Sequence, residues 1–508
     1  MARIRRCFVG FDVGTSSTKA VLVDAPSGTV LRTAAREHAV EQGPAGLVAM
    51  RQEVWWEEFR SIYPELIAPV NSGGGLAAVE VAGIGLSGMG PCVGITDASD
   101  RPVAPAALYG VDARAREQIA ELTARFGREY LLRRYDAELT TQAAGPKLAW
   151  FAAHYPAAFE RPTRMYMPAS ALVRRLTGEY VLDRQSASQC TPLYDPATGD
   201  WDAEMWQKLS PGTVKPRLGW SGEVGGVTRP TPELPELAAG IPVTFGTIDA
   251  WAEQESVGAI ADGQLFLMYG TTLFLVANAA KRVRHPAMWG TTGTRPGTFN
   301  LAGGLATSGS LTDWMRGITG ERDYALLTVE AAAVPPGCEG LLVLPYFAGE
   351  RTPIQDPDAR GVIAGLTLRH SRAHLYRAML EGTALAVRHN IAVMASAGLE
   401  IDGITCAGGG LSSDLWPQIV SDVTGRSQVR RRYHVGAALG NAFLVAQALG
   451  EVDSIDVWNP VDRVFEPRPE LAGMYDDRYA DYLALYRNTR DIAHHLAGAT
   501  DGEHPSPR

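Results

Sequence analysis

Cysteine is scarce in this sequence, with five residues among 508 at positions scattered from Cys7 to Cys406. An odd number of widely spaced cysteines provides neither a disulfide framework nor a zinc site. The ten histidines show no spacing typical of metal ligands either. Few, dispersed cysteines are typical of a reducing compartment, so the sequence predicts a cytoplasmic protein.

Long apolar runs and an excess of basic residues are also lacking. No stretch reaches the roughly 20 apolar residues needed to cross a bilayer. The 47 basic residues are outnumbered by 56 acidic ones, which gives a net charge of −9. This balance disfavours nucleic acid and anionic membranes as partners. The short apolar start contains Asp12, so it indicates a first strand rather than a signal peptide.

The remaining composition and the chain length predict a multidomain α/β protein. A chain of 508 residues exceeds what one hydrophobic core usually supports. Short β-branched segments alternate with longer helical patterns. Strands are predicted in CFVGFDVG, TKAVLVDA, VEVAGIGLS, QLFLMYGT, LFLVANA and LEIDGITCAGGG, and helices over 53–70, 113–126, 373–397 and 416–424. A polar tail is predicted over residues 491–508.

Two pairs of segments resemble each other in the same order along the chain. VEVAGIGLSGMG, which begins at Val79, aligns with LEIDGITCAGGG, which begins at Leu399. FVGFDVGTSSTKAVLVDA likewise matches LFLMYGTTLFLVANA, since each is a strand, a Gly-Thr turn and a second strand. Chance similarity between glycine-rich strand ends is the alternative explanation. The ordered repetition predicts two related domains in tandem, with a ligand held between them.

The turn of the first repeat, DVGTSSTK, combines Asp12, Gly14, Thr15, Ser16 and Lys19. Gly14 permits a positive φ and close backbone approach. Backbone N–H groups and hydroxyls can then surround phosphate oxygens, while Lys19 adds a positive charge. Asp12 suits water-mediated binding of Mg²⁺. A solvated β-turn is the alternative interpretation.

The second repeat contains two further segments of this kind. YGTTLF, with Gly270 and Thr271, is the corresponding turn, and AGGGLSSDLW joins a predicted strand to a helix. Gly409 and Gly410 leave a flat surface against which an adenine can lie, and Ser413 can cap the helix. A plain hairpin corner and an ordinary helix start are the alternatives. Neither turn has the P-loop or dinucleotide-binding spacing.

The segment FGTIDAWAE places Asp249 after a predicted buried strand. A carboxylate at this position fits a helix cap, which is the commoner role, or a chemical group aimed into a cleft. The residues alone leave both interpretations open.

These segments together resemble the FGGY family of carbohydrate kinases, within the actin/hexokinase ATPase superfamily, from about residue 8 to about residue 487. The most specific segment is LPYFAGERTPIQDPDARGVIAGLTLRHSRAHLYRAMLEG, which is similar to the long family signature almost position by position. PVAPAALYGVDARAREQIAEL resembles the sugar-side segment. The resemblance implies an α/β protein of two tandem ribonuclease-H-like domains, 1–253 and 254–490, with an interdomain cleft.

The resemblance implies a kinase that uses ATP and Mg²⁺ to phosphorylate a hydroxyl of a sugar. It implies Asp249 as the general base and Asp12 with Asp249 as the metal-associated carboxylates. On the nucleotide side it adds Gly309 and Asp313, from TSGSLTDWMRG. The acceptor favoured is a ketopentose such as xylulose, because the chain looks most like the xylulokinase-like members. A homodimer is compatible with this interpretation.

The predicted sugar side departs from the family pattern. Xylulokinase-like members carry Gly-Gln-Met-His-Gly where this chain reads SGMGP, so Met89 is retained but Gly90 replaces a histidine. Tyr109 stands where an aromatic residue commonly packs on the sugar, and Asp112 keeps the expected type. A lost polar contact can change specificity by orders of magnitude. Another ketose, a polyol or a sugar acid such as gluconate therefore stays open.

Two other function classes are alternatives to a kinase. A non-kinase, chaperone-like ATPase shares the phosphate turns but not the long signature, and an inactive homologue would lack Asp12 or Asp249. Glu350 and Arg351 of FAGERTP are interpreted as a structural polar pair rather than as catalytic residues. Trp55 of the RQEVWWEEF segment is interpreted as core.

Overall fold

The structure is a computed structural model that describes residues 4–71, 76–321 and 323–500. Two large mixed sheets form its framework, one from each half of the chain. No helix in the described ranges is long and apolar enough to cross a membrane.

The sheet of the N-terminal half has eight strands. These are β1 (Ile4–Val13), β2 (Ser17–Asp24), β3 (Val30–Glu37), β4 (Val70–Asn71), β5 (Leu76–Gly88), β6 (Val224–Val227), β7 (Pro242–Thr244) and β8 (Thr247–Ile248). The strand order is β6-β7-β5-β1-β2-β3, and β4 and β8 also pair with β5. β1 and β2 form an antiparallel hairpin, whereas β1, β7 and β8 each run parallel to β5.

The sheet of the C-terminal half has seven strands. These are β9 (Gln264–Tyr269), β10 (Leu273–Ala279), β11 (Trp289–Thr292), β12 (Phe299–Leu305), β13 (Gly403–Gly408), β14 (Gln428–Arg431) and β15 (Val461–Phe465). The strand order is β11-β12-β10-β9-β13-β14-β15. β9 and β10 form an antiparallel hairpin, and β9 runs parallel to β13.

The predicted repeat is confirmed by these two sheets. In both, a hairpin is extended on one side by an antiparallel strand, β3 or β12, and on the other by a parallel strand, β5 or β13. A further parallel strand and a final antiparallel one follow in both. The segments beginning at Val79 and Leu399 therefore occupy equivalent places. The fold is the predicted α/β arrangement of two related tandem units.

Sixteen α-helices occur in the described ranges. They are α1 (Glu53–Ile67), α2 (Arg116–Phe126), α3 (Arg128–Tyr135), α4 (Ala144–His154), α5 (Pro156–Phe159), α6 (Pro168–Thr177), α7 (Arg184–Ser188), α8 (Ala203–Leu209), α9 (Asp249–Ser256), α10 (Gly309–Thr319), α11 (Tyr324–Ala332), α12 (Arg372–Ser396), α13 (Leu415–Thr424), α14 (Ala437–Ala448), α15 (Ile455–Trp458) and α16 (Ala472–Thr500). The four predicted helices agree with α1, α2, α12 and α13 to within a few residues.

Short strand groups cover the rest of the chain. Two three-stranded groups and three two-stranded groups are formed by Glu41–Gln42, Val48–Met50 and Ala106–Ala107; by Gly94–Thr96, Thr163–Tyr166 and Thr213–Val214; by Val181–Asp183 with Arg217–Gly219; by Tyr194–Asp195 with Asp200–Trp201; and by Leu342–Leu344 with Val362–Ala364. The first group connects the start of α1 to the predicted sugar-side segment. Trp55 of α1 is buried, as predicted.

Helix α14 joins the two halves. It lies in the C-terminal half of the sequence but packs on β1, β5 and α9 of the N-terminal half. Glycines allow this close approach: a Cβ added to Gly10 or Gly85 would lie 1.9 Å from a backbone carbonyl oxygen of α14. A Cβ on Gly440 of α14 would lie 1.8 Å from the carbonyl oxygen of Ala252 in α9. The two helices are therefore in direct backbone contact.

The last part of the chain that the structure describes is helical. The polar tail predicted over 491–508 belongs to α16 as far as Thr500, and 501–508 lie outside the described residues. Helix α9 begins at Asp249. That helix also crosses the predicted boundary between 253 and 254, which stays a prediction.

Candidate functional site

The first phosphate turn is held by backbone contacts and by a histidine. Gly14 N–H donates to the carbonyl of Ser17 at 3.0 Å, and an added Cβ would meet the same oxygen at 3.0 Å. Gly14 does not have a positive φ. The close approach of the Ser17 carbonyl, and not a left-handed backbone conformation, therefore restricts this position. Nε2 of His38 donates to the Gly14 carbonyl at 3.0 Å, and its Nδ1 contacts the Glu58 carboxylate at 3.0 Å. Sequence reasoning did not single out His38.

Asp12 lies at the carboxyl end of β1 and is held by a relay of polar side chains. Ser87 of β5, its register partner, donates from Oγ to Oδ1 of Asp12 at 2.7 Å. Asn441 of α14 donates from Nδ2 to Ser87 Oγ at 2.6 Å and to the Phe11 carbonyl at 2.7 Å. Burial raises the pKa of Asp12, and the Ser87 hydrogen bond and the charge of Lys19 lower it again.

Asp249 is brought to the same edge of the sheet. In register, Asp12, Ser87 and Thr247 lie side by side on β1, β5 and β8, and Asp249 follows β8 directly. Adjacent strands lie about 4.8 Å apart, so the backbones of Asp12 and Thr247 are separated by roughly 10 Å. The Asp249 carboxylate accepts from the Ala250 N–H at 2.7 Å, while Ile248 is the N-cap.

The carboxylates of this edge repel one another. Burial raises the pKa of Asp249, and the negative charges of Asp12 and Glu253 raise it further. Burial and Asp12 raise the pKa of Glu253 to about 7, against the charge of Lys19. A partly buried carboxylate with a raised pKa can accept a proton near neutral pH, which a general base requires.

The second phosphate turn closes on the start of α10. Gly309 N–H donates to the Gly270 carbonyl at 2.9 Å, and the N–H groups of Ser308 and Ser310 donate to the Thr271 carbonyl at 3.1 Å. A Cβ on Gly309 would lie 2.7 Å from the Gly270 oxygen, so only glycine fits without a shift. The turn and the helix start are thus one backbone unit.

A cavity of about 310 Å³ opens beside this unit. Its lining includes every nucleotide-side residue predicted in the second half, which are Gly270, Thr271, Gly309, Asp313, Gly409, Gly410 and Ser413. Tyr269, Tyr376 and Trp416 add aromatic walls. Ser413 does not cap α13, whose N-cap Asp414 instead pairs with Arg430 and is without a side-chain cap bond.

The predicted sugar-side residues flank Asp249. Met89 is buried and donates from its N–H to the Val13 carbonyl at 2.8 Å. A Cβ on Gly90 would lie 2.6 Å from Cγ1 of Ile248, the residue before Asp249. A larger side chain at Gly90 would therefore displace Ile248. Their contact with a sugar stays a prediction.

Tyr109 and Asp112 have different surroundings. The Tyr109 hydroxyl lies 3.0 Å from Oγ1 of Thr15, so it bridges the sugar side and the first phosphate turn. Asp112 is only 1% exposed. Its carboxylate forms an ion pair with Arg114 at 2.8 Å and accepts a hydrogen bond from the Val48 N–H at 2.7 Å. This pairing describes a structural role and leaves the predicted sugar contact of Asp112 without support.

Lys147 holds the carbonyl groups of the Tyr109 segment. Its buried Nζ donates to the carbonyl oxygens of Leu108, Tyr109 and Thr141 at 2.6–2.8 Å. Burial lowers its pKa to about 8. Neither Lys147 nor Asn441 was found from the sequence, because their partners are distant and leave no local pattern.

Glu350 and Arg351 are in contact through the Glu350 carboxylate and the Arg351 N–H rather than through an ion pair of their side chains. Oε1 of Glu350 accepts from the N–H groups of Ala306 and Arg351, at 2.8 and 2.7 Å, and none of the ion pairs between described residues joins the two side chains. Burial raises the pKa of Glu350 to about 8. The two neighbours therefore have separate roles.

The residues present fit a magnesium nucleotide. The glycine-lined cavity and the backbone turns suit a nucleotide and its phosphates. Within the described ranges, no group of three or more His, Cys, Asp or Glu side chains is arranged to hold a metal. Asp12 and Asp249 are hard oxygen donors that suit Mg²⁺, with phosphate and water as its remaining ligands.

Comparison with known proteins agrees with this geometry. Models of the FGGY family of carbohydrate kinases match residues 7–253 for the N-terminal domain and 265–449 for the C-terminal domain. Xylulose kinase of Escherichia coli (strain K12) is 28% identical over 94% of this chain and 98% of its own length. Glycerol kinase of Nocardia farcinica is 29% identical, covering 88% and 91%. The crystal structure of xylulose kinase from Rhodospirillum rubrum superposes with a TM-score of 0.86 at 30% identity, covering 96% and 100%.

Proposed function

Because the chain belongs to the FGGY family of carbohydrate kinases, we propose that it transfers the γ-phosphoryl group of ATP to a hydroxyl of a ketopentose such as xylulose. The similarity to xylulose kinases over nearly the whole chain supports this acceptor. Replacement of the expected histidine by Gly90 and the similarity to a glycerol kinase keep other ketoses, polyols and sugar acids as alternatives.

One observation carries the proposal: Asp249 lies at the sheet edge beside Asp12, with a raised pKa, and α9 contacts the second sheet. The ring of Trp251, two residues after Asp249, lies 5.7 Å from that of Phe274 on β10. Asp249 is therefore close to the strand that follows the Gly270–Thr271 turn. A bound Mg²⁺ would supply charge stabilisation to the transferred phosphoryl group.

The protein residues orient the reactants and receive the proton. A sugar hydroxyl is a weak nucleophile, so Asp249 orients it and accepts its proton as transfer proceeds. Thr15, Ser16 and Lys19 from the first turn and Gly270 and Thr271 from the second bind phosphate oxygens.

Asp249→Asn tests this assignment. It keeps the shape of the side chain but removes the base, so we expect kcat to fall by at least about 10²-fold while ATP binding changes only a few-fold. Glu253→Gln is the matched control, because it removes one carboxylate from the same cluster; its kcat should stay within about tenfold.

The assay is ADP release with xylulose, other ketoses, polyols and gluconate. Near-normal turnover in Asp249→Asn, or equal losses in both variants, would contradict the role of Asp249 as base. ADP release that no sugar stimulates would contradict the kinase itself and favour an ATPase of the same superfamily.

A further inference from the structure

Arg351 is held by its two neighbours, while its guanidinium donates no hydrogen bond to any residue that the structure describes. Glu350 is 4% exposed and accepts the Arg351 N–H. Thr352 is 1% exposed, and its Oγ1 accepts from the Gly304 N–H at 2.8 Å and donates to Asn390 at 2.7 Å. The backbone at Arg351 is therefore fixed on both sides, which pre-orients the side chain.

The Arg351 guanidinium is half-buried and forms no hydrogen bond or ion pair with any residue in 4–71, 76–321 or 323–500. Its one described contact is with the ring of Trp289, whose centroid lies 5.6 Å from Cζ. Other arginines at the junction of the halves are paired; Arg282, for example, binds both oxygens of Asp136 at 2.8 Å. A partly buried guanidinium whose N–H groups lack acceptors is costly unless a ligand supplies them.

The sheet register shows where this cation lies. A Cβ added to Gly304 would be 3.1 Å from a terminal nitrogen of Arg351. Gly304 is the cross-strand partner of Phe274, so both face the same side of the sheet. Phe274 contacts Trp251 of α9, the helix that begins with Asp249. Arg351 therefore reaches the cleft from the C-terminal half, on the face that carries Asp249.

Within the cleft, the two cations act on different groups. Burial raises the pKa of Asp12 and of Glu253, and the charge of Lys19, at the phosphate end, opposes that rise. Burial and the charge of Asp249 raise the pKa of Tyr109, and the charge of Arg351 opposes that rise. Tyr109 is the predicted sugar-side aromatic, so Arg351 lies at the acceptor end of the cleft.

We propose that Arg351 is an acceptor-binding residue whose guanidinium donates hydrogen bonds to a carbonyl or carboxylate oxygen of the sugar. This inference rests on the proposed function and deepens it. The acceptor is then held by both halves of the chain, with Asp249 at the reacting hydroxyl and Arg351 at the carbonyl or carboxylate group. A polyol lacks that oxygen and gains less from the guanidinium.

The test compares Arg351→Met, which removes the charge, with Arg351→Lys, which keeps it. Arg175→Met is the matched control, because Arg175 is exposed and lies in the last turn of α6. D-Xylulose and D-gluconate are the oxidised acceptors, and xylitol is the polyol. Each variant is assayed for kcat and KM with each acceptor and with ATP, and for direct acceptor binding by calorimetry.

A hydrogen bond to a charged group is worth about 1.5–3 kcal/mol, which is about 10–100-fold in kcat/KM. For whichever oxidised acceptor the wild type uses, we expect the kcat/KM of Arg351→Met to fall by this factor. For xylitol, the kcat/KM should fall by less than about threefold. Arg351→Lys should recover part of the loss, and the KM for ATP should not change. Arg175→Met should behave as wild type.

Three results would overturn the inference: equal losses for oxidised and reduced acceptors, a raised KM for ATP with unchanged acceptor selectivity, or no difference from Arg175→Met. If Arg351→Met fails to fold, Arg351→Lys with unaltered acceptor selectivity and binding would overturn it as well. Failure of the proposed function is distinct, because the wild type would then show no acceptor-stimulated ADP release.

Discussion

Gly440→Ala tests the contact between α14 and α9, on which the position of Asp249 depends. The new Cβ would lie 1.8 Å from the Ala252 carbonyl oxygen and 3.1 Å from the Ser256 N atom. Non-bonded carbon and oxygen atoms normally stay beyond about 3.2 Å, so the helices must separate by about 1 Å or more. Both obstructing atoms are backbone, so no side-chain rotation relieves the clash.

The magnitude follows from two opposing effects. Glycine to alanine inside a helix is intrinsically favourable by about 0.5–1 kcal/mol. Overpacking of this kind costs about 1–3 kcal/mol or more. We therefore expect a net loss in the free energy of unfolding of about 1–2 kcal/mol. A displacement of about 1 Å at Asp249 should also reduce kcat by as much as about 10²-fold.

Gly317→Ala is the matched control, because Gly317 is also inside a helix, α10, and an added Cβ there meets no atom within 4 Å. Thermal unfolding and kcat are measured for both variants. Gly317→Ala should be as stable as wild type or slightly more stable, with normal turnover. If Gly440→Ala matched this control in both measurements, the close α9–α14 contact would be refuted.

Two further predictions concern buried ionisable groups. Burial raises the pKa of Glu350 from its ordinary 4.5 to about 8. Between these two values the folded protein keeps a proton that the unfolded chain releases. The free energy of unfolding should therefore fall by a few kcal/mol as the pH rises from about 5 to about 8. Glu350→Gln should remove most of this dependence, and melting temperatures at pH 5 and pH 8 that differ equally in both proteins would contradict it. Lys147→Met leaves three buried carbonyls without their donor, so we expect a lower melting temperature and a KM for the acceptor raised about tenfold or more, with the KM for ATP unchanged. An unchanged acceptor KM would refute a positioning role for Lys147.

The nucleotide side was the part of the site most accessible from sequence. The seven nucleotide-side residues predicted in the second half line one cavity, because each belongs to a short glycine turn or helix start whose geometry is local. The repeat could be predicted for the same reason, since each copy of the phosphate-turn segment is a strand, a turn and a strand. Asp249 required the resemblance, because its sequence context alone also fits a cap.

The supporting contacts could not be predicted, because they join residues far apart in the chain. Asn441 reaches Ser87 across 354 positions, and no periodicity marks such a pair. Adjacent opposite charges were also misleading: Glu350 and Arg351 suggest an ion pair, but the Glu350 carboxylate accepts from backbone N–H groups instead. Short-range patterns specify turns, whereas tertiary packing decides the partners of buried polar groups.

The glycines of the interface limit how the two halves can move. Family kinases are expected to close on their substrates, which requires part of one half to move against the other. Gly10, Gly85 and Gly440 place α14 in backbone contact with β1, β5 and α9, and Asn441 adds two hydrogen bonds. Separating these surfaces would leave the Phe11 carbonyl and the hydroxyl of Ser87 without their donor, at a cost of about 1–3 kcal/mol each. Any closure must therefore keep α14 with the first sheet, so the movement belongs between α14 and the second sheet.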